Sequence, residues 1–118
     1  MIDGIGGVFL FSNDIKRLAA WYRDCLGIVP AGEDTDCNSI YATFESRDIE
    51  NPEIKRTTAW AIMPADPDSK DKPRTNKINY TVKNMAEVLT HLKSKGVAIE
   101  KTEEYPSMGI FAWLKDPD

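Results

Sequence analysis

The 118-residue sequence has few of the residues that most metal and nucleophile sites require. It contains one histidine and two cysteines, and it has no run near the roughly 18 apolar residues of a membrane span. Its 15 Lys and Arg are outnumbered by 19 Asp and Glu, and the net charge of -4 argues against a general nucleic-acid surface. We therefore expect a small-molecule ligand or a protein partner, no nucleic acid and no membrane.

The two cysteines, Cys25 and Cys37, do not form a CxxC pair, and no cluster of thiol and imidazole residues surrounds them in the sequence. This usage is typical of reduced thiols in a cytoplasmic protein. Residues 1–7 lack a basic region followed by an apolar run, so no secretory signal is expected. A chain of this length with 42% hydrophobic residues is expected to form one domain without a disulfide frame or a structural metal.

Two amphipathic helices are predicted, and their apolar stripes repeat. Asp14 or Asn13 is the expected cap of the first helix and Asn84 of the second, while Gly27 and Gly96 are the expected ends. The stripes, in which equivalent positions such as Leu18 and Val88 are 70 residues apart, consist of Ile15, Leu18, Ala19, Tyr22 and Leu26 and of Met85, Val88, Leu89 and Leu92. The chain is therefore interpreted as a tandem of two similar units.

Strand-like segments rich in β-branched or aromatic residues flank both helices. They span residues 7–11, 28–32, 39–45 and 57–63 in the first unit and 78–82, 97–105 and 109–115 in the second. The polar insert 46–56 is predicted to be a long hairpin loop. The prediction is a single domain, 1–118, made of a first βαβββ unit (1–63), a linker (64–74) and a second, incomplete unit (75–118). The fold class is α+β, with a curved mixed sheet and both helices on its outer face.

The second unit is short by one strand. The final residues, Asp116-Pro117-Asp118, are typical of a turn, and a turn normally leads into another element. We expect that a last strand is missing because a longer tail is truncated or disordered. If the chain instead ends at Asp118, the free edge of segment 109–115 favours pairing with another chain, which is the basis for expecting a homodimer.

Together with this tandem, three stretches carry a family resemblance. They are GGVFLFSND at 6–14, the LAAWY and LG of the first helix, and FAWLKDPD at 111–118. The sequence resembles the vicinal oxygen chelate superfamily, which includes glyoxalase I, bleomycin-resistance proteins, fosfomycin-resistance transferases and extradiol dioxygenases. The resemblance covers essentially the whole chain. It implies a fold and not a reaction, because this scaffold hosts unrelated chemistries and simple binding proteins.

In the enzymes of that family, His, Gln or Glu side chains on the first and last strands of each unit hold a divalent metal. The equivalent positions on the opening strands are Gly7 and Lys77, and segment 57–63 contains no His, Glu, Asp or Gln. Glycine has no side-chain donor and a protonated lysine has no lone pair. The resemblance therefore implies a member that lacks the metal ligands, and we expect no metal and no cofactor.

Catalytic residues are not identified in the sequence. The only histidine, His91, lies off the apolar stripe of the second helix and is interpreted as a solvated surface imidazole. Neither cysteine has an evident histidine partner, and most carboxylates lie in polar loops. Enzymatic activity is therefore not expected, and if present it would be lyase or dioxygenase chemistry of the glyoxalase type.

Alternation along the strands predicts a ligand-binding surface. In segment 77–82, Ile78, Tyr80 and Val82 should face the helices, which leaves Lys77 and Asn79 toward the cavity. The full set of predicted ligand-binding residues is Phe9, Phe11, Tyr41, Trp60, Lys77, Asn79, Phe111 and Trp113. Aromatic walls with one lysine and one asparagine suit a flat, weakly polar or anionic ligand.

Three functions are consistent with these features. The first is a metal-free, glyoxalase-like protein that binds a small molecule in its sheet cavity without transforming it. The second is a metal-dependent lyase or dioxygenase whose ligands lie at other positions. The third is a protein-interaction module whose concave face is filled by its own aromatic residues.

Overall fold

A computed structural model describes residues 3–35, 38–69, 72 and 76–118. The elements, in chain order, are β1 (Gly7–Ser12), α1 (Ile15–Leu26), β2 (Gly32–Asp34), β3 (Ser39–Arg47), β4 (Lys55–Pro64), a short 3-10 helix (Pro67–Ser69), α2 (Met85–Ser94), β5 (Lys101–Tyr105) and β6 (Gly109–Trp113). Cys37 and part of the predicted linker lie outside the described residues.

The strands form a four-stranded sheet and a separate hairpin. The order in the larger sheet is β1-β4-β3-β2, with β1 parallel to β4 and the other neighbours antiparallel. The smaller sheet pairs β5 with β6 in antiparallel fashion. Helix α1 packs against β1, β3 and β4. The predicted α+β class and the mixed character of the sheet are confirmed.

The helix ends are held by the predicted caps. The side chain of Asp14 accepts a hydrogen bond from the amide of Arg17, and that of Asn84 accepts one from Glu87. These bonds satisfy amides that a helix start leaves without a partner. Gly27 has a φ of 71°, a left-handed conformation that costs little only for a residue without a Cβ atom.

Each helix is closed by a backbone bond to an equivalent carbonyl, that of Tyr22 in the first and of Leu92 in the second, although the donors are six and five residues further along the chain. Ile28 donates its amide to the carbonyl of Tyr22 at 3.1 Å, and Val97 donates its amide to the carbonyl of Leu92 at 3.0 Å. An amide used in this way is not available to a strand. The predictions that strands begin at 28 and 97 are therefore wrong, since β2 starts at Gly32 and β5 at Lys101.

The two halves otherwise agree in register. β2 and the first part of β3 cover 32–34 and 39–43, while β5 and β6 cover 101–105 and 109–113, so the offset of the helices extends to these strands. The predicted strand at 78–82 is wrong, because no strand is formed by the described residues 76–82. Its counterpart β1 bonds to β4, and the described second half has no strand equivalent to β4. The division into units 1–63 and 75–118 stays a prediction.

The buried core lies between the four-stranded sheet and α1. Its fully buried large side chains include Leu18, Trp60 and Ile62. Leu92 of α2 is also fully buried but does not belong to this cluster. Ile78 and Tyr80 also pack against the core cluster, as strand alternation predicted for them, whereas Val82 is 44% exposed and does not follow the prediction. Cys25 is a free thiol that is buried in α1. In the described residues, neither helix combines the length and the apolar character that crossing a bilayer requires.

A chain of polar contacts ties the second half to this core. The indole Nε1 of Trp60 donates to the hydroxyl of Tyr80 at 2.8 Å, and the hydroxyl of Tyr22 donates to Oδ2 of Asp116 at 2.6 Å. The rings of Tyr22 and Trp60 meet edge to face at 5.1 Å. Burial, followed by the hydrogen bond to Asp116, raises the pKa of Tyr22 far above its ordinary value. The phenol is therefore held in its neutral, donating form.

This contact predicts a loss of stability in alkali. The unfolded chain releases the Tyr22 proton above about pH 10, whereas the folded chain retains it. The stability that the raised pKa confers is thus fully present below about pH 10 and falls as pH rises, by up to about 1.4 kcal/mol per pH unit for this tyrosine. Urea unfolding at several pH values on both sides of about pH 10 measures the slope. Tyr22→Phe should be less stable at neutral pH and should show a flatter slope, and equal slopes would contradict the assignment.

Candidate functional site

The side of the four-stranded sheet that faces away from α1 is called the open face. Cross-strand partners point to the same side of a sheet, and the register aligns Phe9 with Ala61 and Ala61 with Tyr41. The open face consists of Gly7, Phe9, Phe11, Tyr41, Thr43, Ala59, Ala61 and Met63. It is apolar over most of its extent. Three of the predicted ligand-binding residues, Phe9, Phe11 and Tyr41, lie on it.

Small and large side chains alternate across the open face. Phe9 and Tyr41 stand on either side of Ala61, about 10 Å apart at two strand spacings. Phe9 is 50% exposed and Tyr41 is 38% exposed, while Ala61 is buried. The arrangement is a shallow trough that has an alanine floor and aromatic sides.

Two glycines let these rings lie close to the sheet. A Cβ atom at Gly7 would lie 3.0 Å from the Cε2 atom of Phe9, and one at Gly32 would lie 2.9 Å from the hydroxyl oxygen of Tyr41. Few Cβ atoms lie so close to a neighbouring atom, so a larger residue at either position would require the ring to move. The Phe9 ring therefore rests over β1 and the Tyr41 ring over β2, on either side of the buried Ala61.

The prediction that Trp60 lines the cavity is wrong. The register pairs Trp60 with Val8 and Ala42 on the opposite side of the sheet, which faces α1. Trp60 has no exposed surface, and its indole nitrogen donates to Tyr80. β4 is apolar on both of its sides, so alternation alone did not show which of its residues face the helix.

The remaining predicted site residues belong to other segments of the chain. Lys77 and Asn79 are exposed in the segment that precedes α2. Phe111 and Trp113 belong to the β5–β6 hairpin, where their ring centroids are 6.1 Å apart and the ammonium of Lys101 lies 4.3 Å from the Trp113 ring. The structure thus brings together the aromatic residues of the first half and, separately, those of the hairpin. A role of these residues in ligand binding stays a prediction.

The open face does not offer a donor set for a divalent metal. Gly7 has no side chain, and the neighbouring strands contribute Ala59, Ala61 and Met63. Glu45, at the end of the same face, already pairs with the ammonium of Lys55 at 3.0 Å. Among the described residues, no three or more His, Cys, Asp or Glu side chains are grouped as a metal ion would require. The described residues of the open face therefore do not fit a metal centre of the kind held by the enzymes of that family.

His91 is placed away from the open face. Its Nε2 atom lies 2.9 Å from the carbonyl oxygen of Asp24 and thereby links α2 to the end of α1. The ring is on the exposed side of α2, as its sequence position predicted. The contact that the structure shows for His91 is this hydrogen bond between α2 and α1.

Two surface clefts, each of about 370 Å³, also lie away from the open face. One lies between α1 and β2, and its lining includes Lys16, Arg23 and Ile40. The other includes Trp21, Lys95 and Asp116. Neither contains a residue of the predicted ligand-binding set.

The comparison with known families agrees with this architecture. The model of the Glyoxalase/Bleomycin resistance protein/Dioxygenase superfamily matches residues 4–118. The chain belongs to this superfamily. No curated protein sequence matches the chain at a significant level.

Solved structures share the fold of this chain at low identity. An integron cassette protein from the mobile metagenome of Halifax Harbour sewage outfall has a TM-score of 0.69 and 14% identity, over 98% of this chain and 91% of that one. Lactoylglutathione lyase from Agrobacterium tumefaciens has a TM-score of 0.60 and 15% identity, over 98% and 87%. A fosfomycin resistance protein from Listeria monocytogenes, complexed with Mn(II), has a TM-score of 0.58 and 20% identity, over 98% and 86%. At these identities the likeness shows the fold alone.

Several residues of the open face were missed by the sequence analysis. Ala59, Ala61 and Met63 form its centre, and they come from the strand whose orientation was misassigned. The signal that identifies them is the pairing with β1, where Phe9 and Phe11 alternate with the buried Leu10 and Ser12. Sequence alone did not give the register of that pairing.

The two tryptophans of the predicted set should respond differently to substitution. Trp60→Phe removes a buried indole and its hydrogen bond, so the free energy of unfolding should fall by about 2 to 3 kcal/mol. Trp113→Phe changes a partly exposed ring of the hairpin and should cost less than about 1 kcal/mol. Urea unfolding followed by circular dichroism measures both. Equal costs would contradict the placement of Trp60 in the core.

Proposed function

We propose that this protein binds a small planar organic molecule on the open face, without a metal and without transforming it. The observation that carries the proposal is the combination, on one face, of accessible aromatic side chains, small residues between them and no donor set for a metal. Enzymatic groups are not needed for such a role. The superfamily includes proteins of several activities, so the argument rests on the site.

The energetic contribution of the open face would come from apolar contact. Phe9, Phe11 and Tyr41 are each between 38% and 50% exposed. Covering about 100 Å² of such surface contributes about 2.5 kcal/mol. Aromatic rings also favour edge or offset contacts with another ring. A flat aromatic ligand resting over Ala61, between Phe9 and Tyr41, would use both effects.

The polar groups that orient the ligand would come from the segment before α2. Ile78 and Tyr80 anchor this segment to the core, and in an extended chain the alternate residues Lys77 and Asn79 point away from that anchor. Both are exposed. We assign to them the orientation of a carboxylate or carbonyl group of the ligand, since an ammonium and an amide supply donors for such oxygens.

The proposal includes the cytoplasm as the compartment. Cys25 is a buried free thiol whose pKa is raised chiefly by burial. A thiol that remains protonated and covered has no role in a disulfide frame, which agrees with a reducing environment.

A protein-interaction role is the second candidate, and one observation favours it. The aromatic residues of the open face are half-exposed in the chain, and the two clefts described above lie elsewhere. A protein partner would cover the whole face, whereas a small ligand would occupy only the trough. The two functions are separated by whether small aromatic acids bind to the isolated chain.

Binding should depend on the rings of the open face and not on exposed phenylalanine in general. Phe9→Ala and Phe11→Ala should each weaken the binding of an aromatic acid such as 1-naphthoate by about 1 to 3 kcal/mol, which is about 5- to 150-fold in Kd. Phe44→Ala is the matched control, because Phe44 is 43% exposed, close to the 45% of Phe11, but lies on the other side of β3. Isothermal titration calorimetry measures the three variants.

The control decides between the candidate functions. If Phe44→Ala weakens binding as much as Phe9→Ala, the open face is not the site. If 1-naphthoate and a set of related aromatic acids do not bind the unmodified chain, the small-molecule proposal fails and the interaction role replaces it.

Affinity should be insensitive to divalent metals and sensitive to the charge at Lys77. Addition of Mn²⁺, Zn²⁺ or a chelator should leave the Kd for 1-naphthoate unchanged, because the open face has no donor set. Lys77→Met should weaken the binding of 1-naphthoate more than that of its neutral amide. Titrations with both ligands measure the difference. Metal-dependent affinity would contradict the metal-free proposal, and equal losses for the two ligands would remove Lys77 from the site.

A further inference from the structure

The cleft between α1 and β2 is separate from the open face. β2 lies at the edge of the four-stranded sheet, whereas α1 packs against the other three strands. The helix therefore leaves space over the core side of β2, and the cleft occupies it. Its volume of about 370 Å³ is within the range of about 300 to 1,000 Å³ that small-molecule pockets have.

The helix side of this cleft is concave because two alanines lie between two long side chains. Residues at the spacing i, i+3, i+4 and i+7 share one face of a helix. The lining residues of α1 that have this spacing are Lys16, Ala19, Ala20 and Arg23. The buried Ile40 of β3 continues the apolar surface below Ala19. A longer side chain at Ala20, which is only partly buried, would fill the space.

The two sides of the cleft carry opposite charges. The register pairs Glu33 with Ile40 and Ile40 with Ile62, which faces α1. Glu33 therefore points to the core side of the sheet, where it lines the cleft together with Lys16 of the helix. Both side chains are exposed, and within the described part of the chain neither takes part in an ion pair. The ammonium and the carboxylate line one space without contacting each other.

The other cation of the lining is already paired. Nε of Arg23 donates to Oδ1 of Asp24 at 2.9 Å, and its Nη2 atom donates to Oδ2 at 3.4 Å. This contact directs the guanidinium along the helix surface. Lys16 is consequently the cation that is available to an anionic group in the cleft.

We propose that this cleft binds a free α-amino acid that has an apolar side chain. The carboxylate of the ligand accepts a hydrogen bond from Nζ of Lys16, and its ammonium donates to the carboxylate of Glu33. The side chain of the ligand lies over Ala20 and Pro30, which are partly buried and apolar. An α-amino acid carries both charges on one carbon atom, so it can bridge two protein charges that do not reach each other.

The pair of opposite charges makes the cleft selective for a zwitterion. Hydrogen bonds between ionised groups are stronger than those between neutral groups. A simple carboxylic acid would leave Glu33 without a partner and would bring a second negative charge near it, and a simple amine would do the same to Lys16 with a positive charge. Such mismatches lower the affinity for the wrong ligand. The site is independent of the proposed ligand site on the open face.

The test is an NMR titration of the ¹⁵N-labelled chain with L-leucine and with two fragments of it. The amides of residues 19–20 and 31–33 should shift and saturate at millimolar or lower L-leucine. The fragments are 4-methylpentanoate, which lacks the ammonium, and 3-methylbutylamine, which lacks the carboxylate. Each fragment should bind at least about tenfold more weakly than L-leucine, because it loses one charge-assisted contact.

Variants assign each contact to a residue. Lys16→Met should weaken the binding of L-leucine by about tenfold and should not weaken that of 3-methylbutylamine, whereas Glu33→Gln should weaken L-leucine similarly and spare 4-methylpentanoate. Ala20→Leu should abolish binding because it fills the cleft. Arg17→Met is the matched control, since Arg17 is an exposed cation next to Lys16 that does not line the cleft. Circular dichroism should be unchanged in all four variants.

Three results would overturn the proposal. The first is the absence of saturable shifts at residues 19–20 and 31–33 with L-leucine, L-methionine and L-phenylalanine. The second is a fragment that binds as tightly as L-leucine, and the third is an equal loss of affinity in Arg17→Met and Lys16→Met. Phe9→Ala, on the open face, should leave the binding of L-leucine unchanged, and a loss there would place the amino acid on the open face instead. The two proposed sites can thus fail separately.

Discussion

Strand β4 is hydrogen-bonded along both of its edges, to β1 on one side and to β3 on the other. This double pairing fixes which side of the sheet every neighbouring residue occupies, because a shift of one residue would exchange the two faces. It directs Trp60 and Ile62 toward α1 and Ala59, Ala61 and Met63 away from it. The register of β4 with β1 and β3 therefore determines both which residues form the core and which form the open face.

The same register determines how each face is filled. Toward α1, the large side chains of β4 meet Leu10 and Leu18, and the space is closed by packing. Away from α1, β4 contributes only small or flexible residues, and the large rings come from its neighbours. The aromatic surface of the open face, with small side chains at its centre, therefore results from the alternation of large and small residues along β4. Its chemistry, which is apolar and poor in donors, follows from the same residues.

Much of the fold was predictable from the sequence, and the reasons for the failures are specific. The helices were identified because their apolar residues recur with the helical period and because Asp14 and Asn84 have cap chemistry. β4 lacks alternation, so its existence was evident but its orientation was not, and the error at Trp60 followed. The helix-closing bonds at Ile28 and Val97 depend on backbone geometry that an apolar residue does not reveal. Segment 76–82 has the composition of a strand, but a strand also needs a partner for its backbone groups.

The bond between Tyr22 and Asp116 joins residues that are 94 positions apart in the chain. Closing so long a loop has an entropic cost that local helix and hairpin contacts do not carry. From this separation we expect the contact to form late in folding, after α1 has packed on its sheet. The burial of Tyr22 against Trp60 prepares the position that Asp116 later joins. In that order, the packed first half provides the surface on which the segment that contains Asp116 docks.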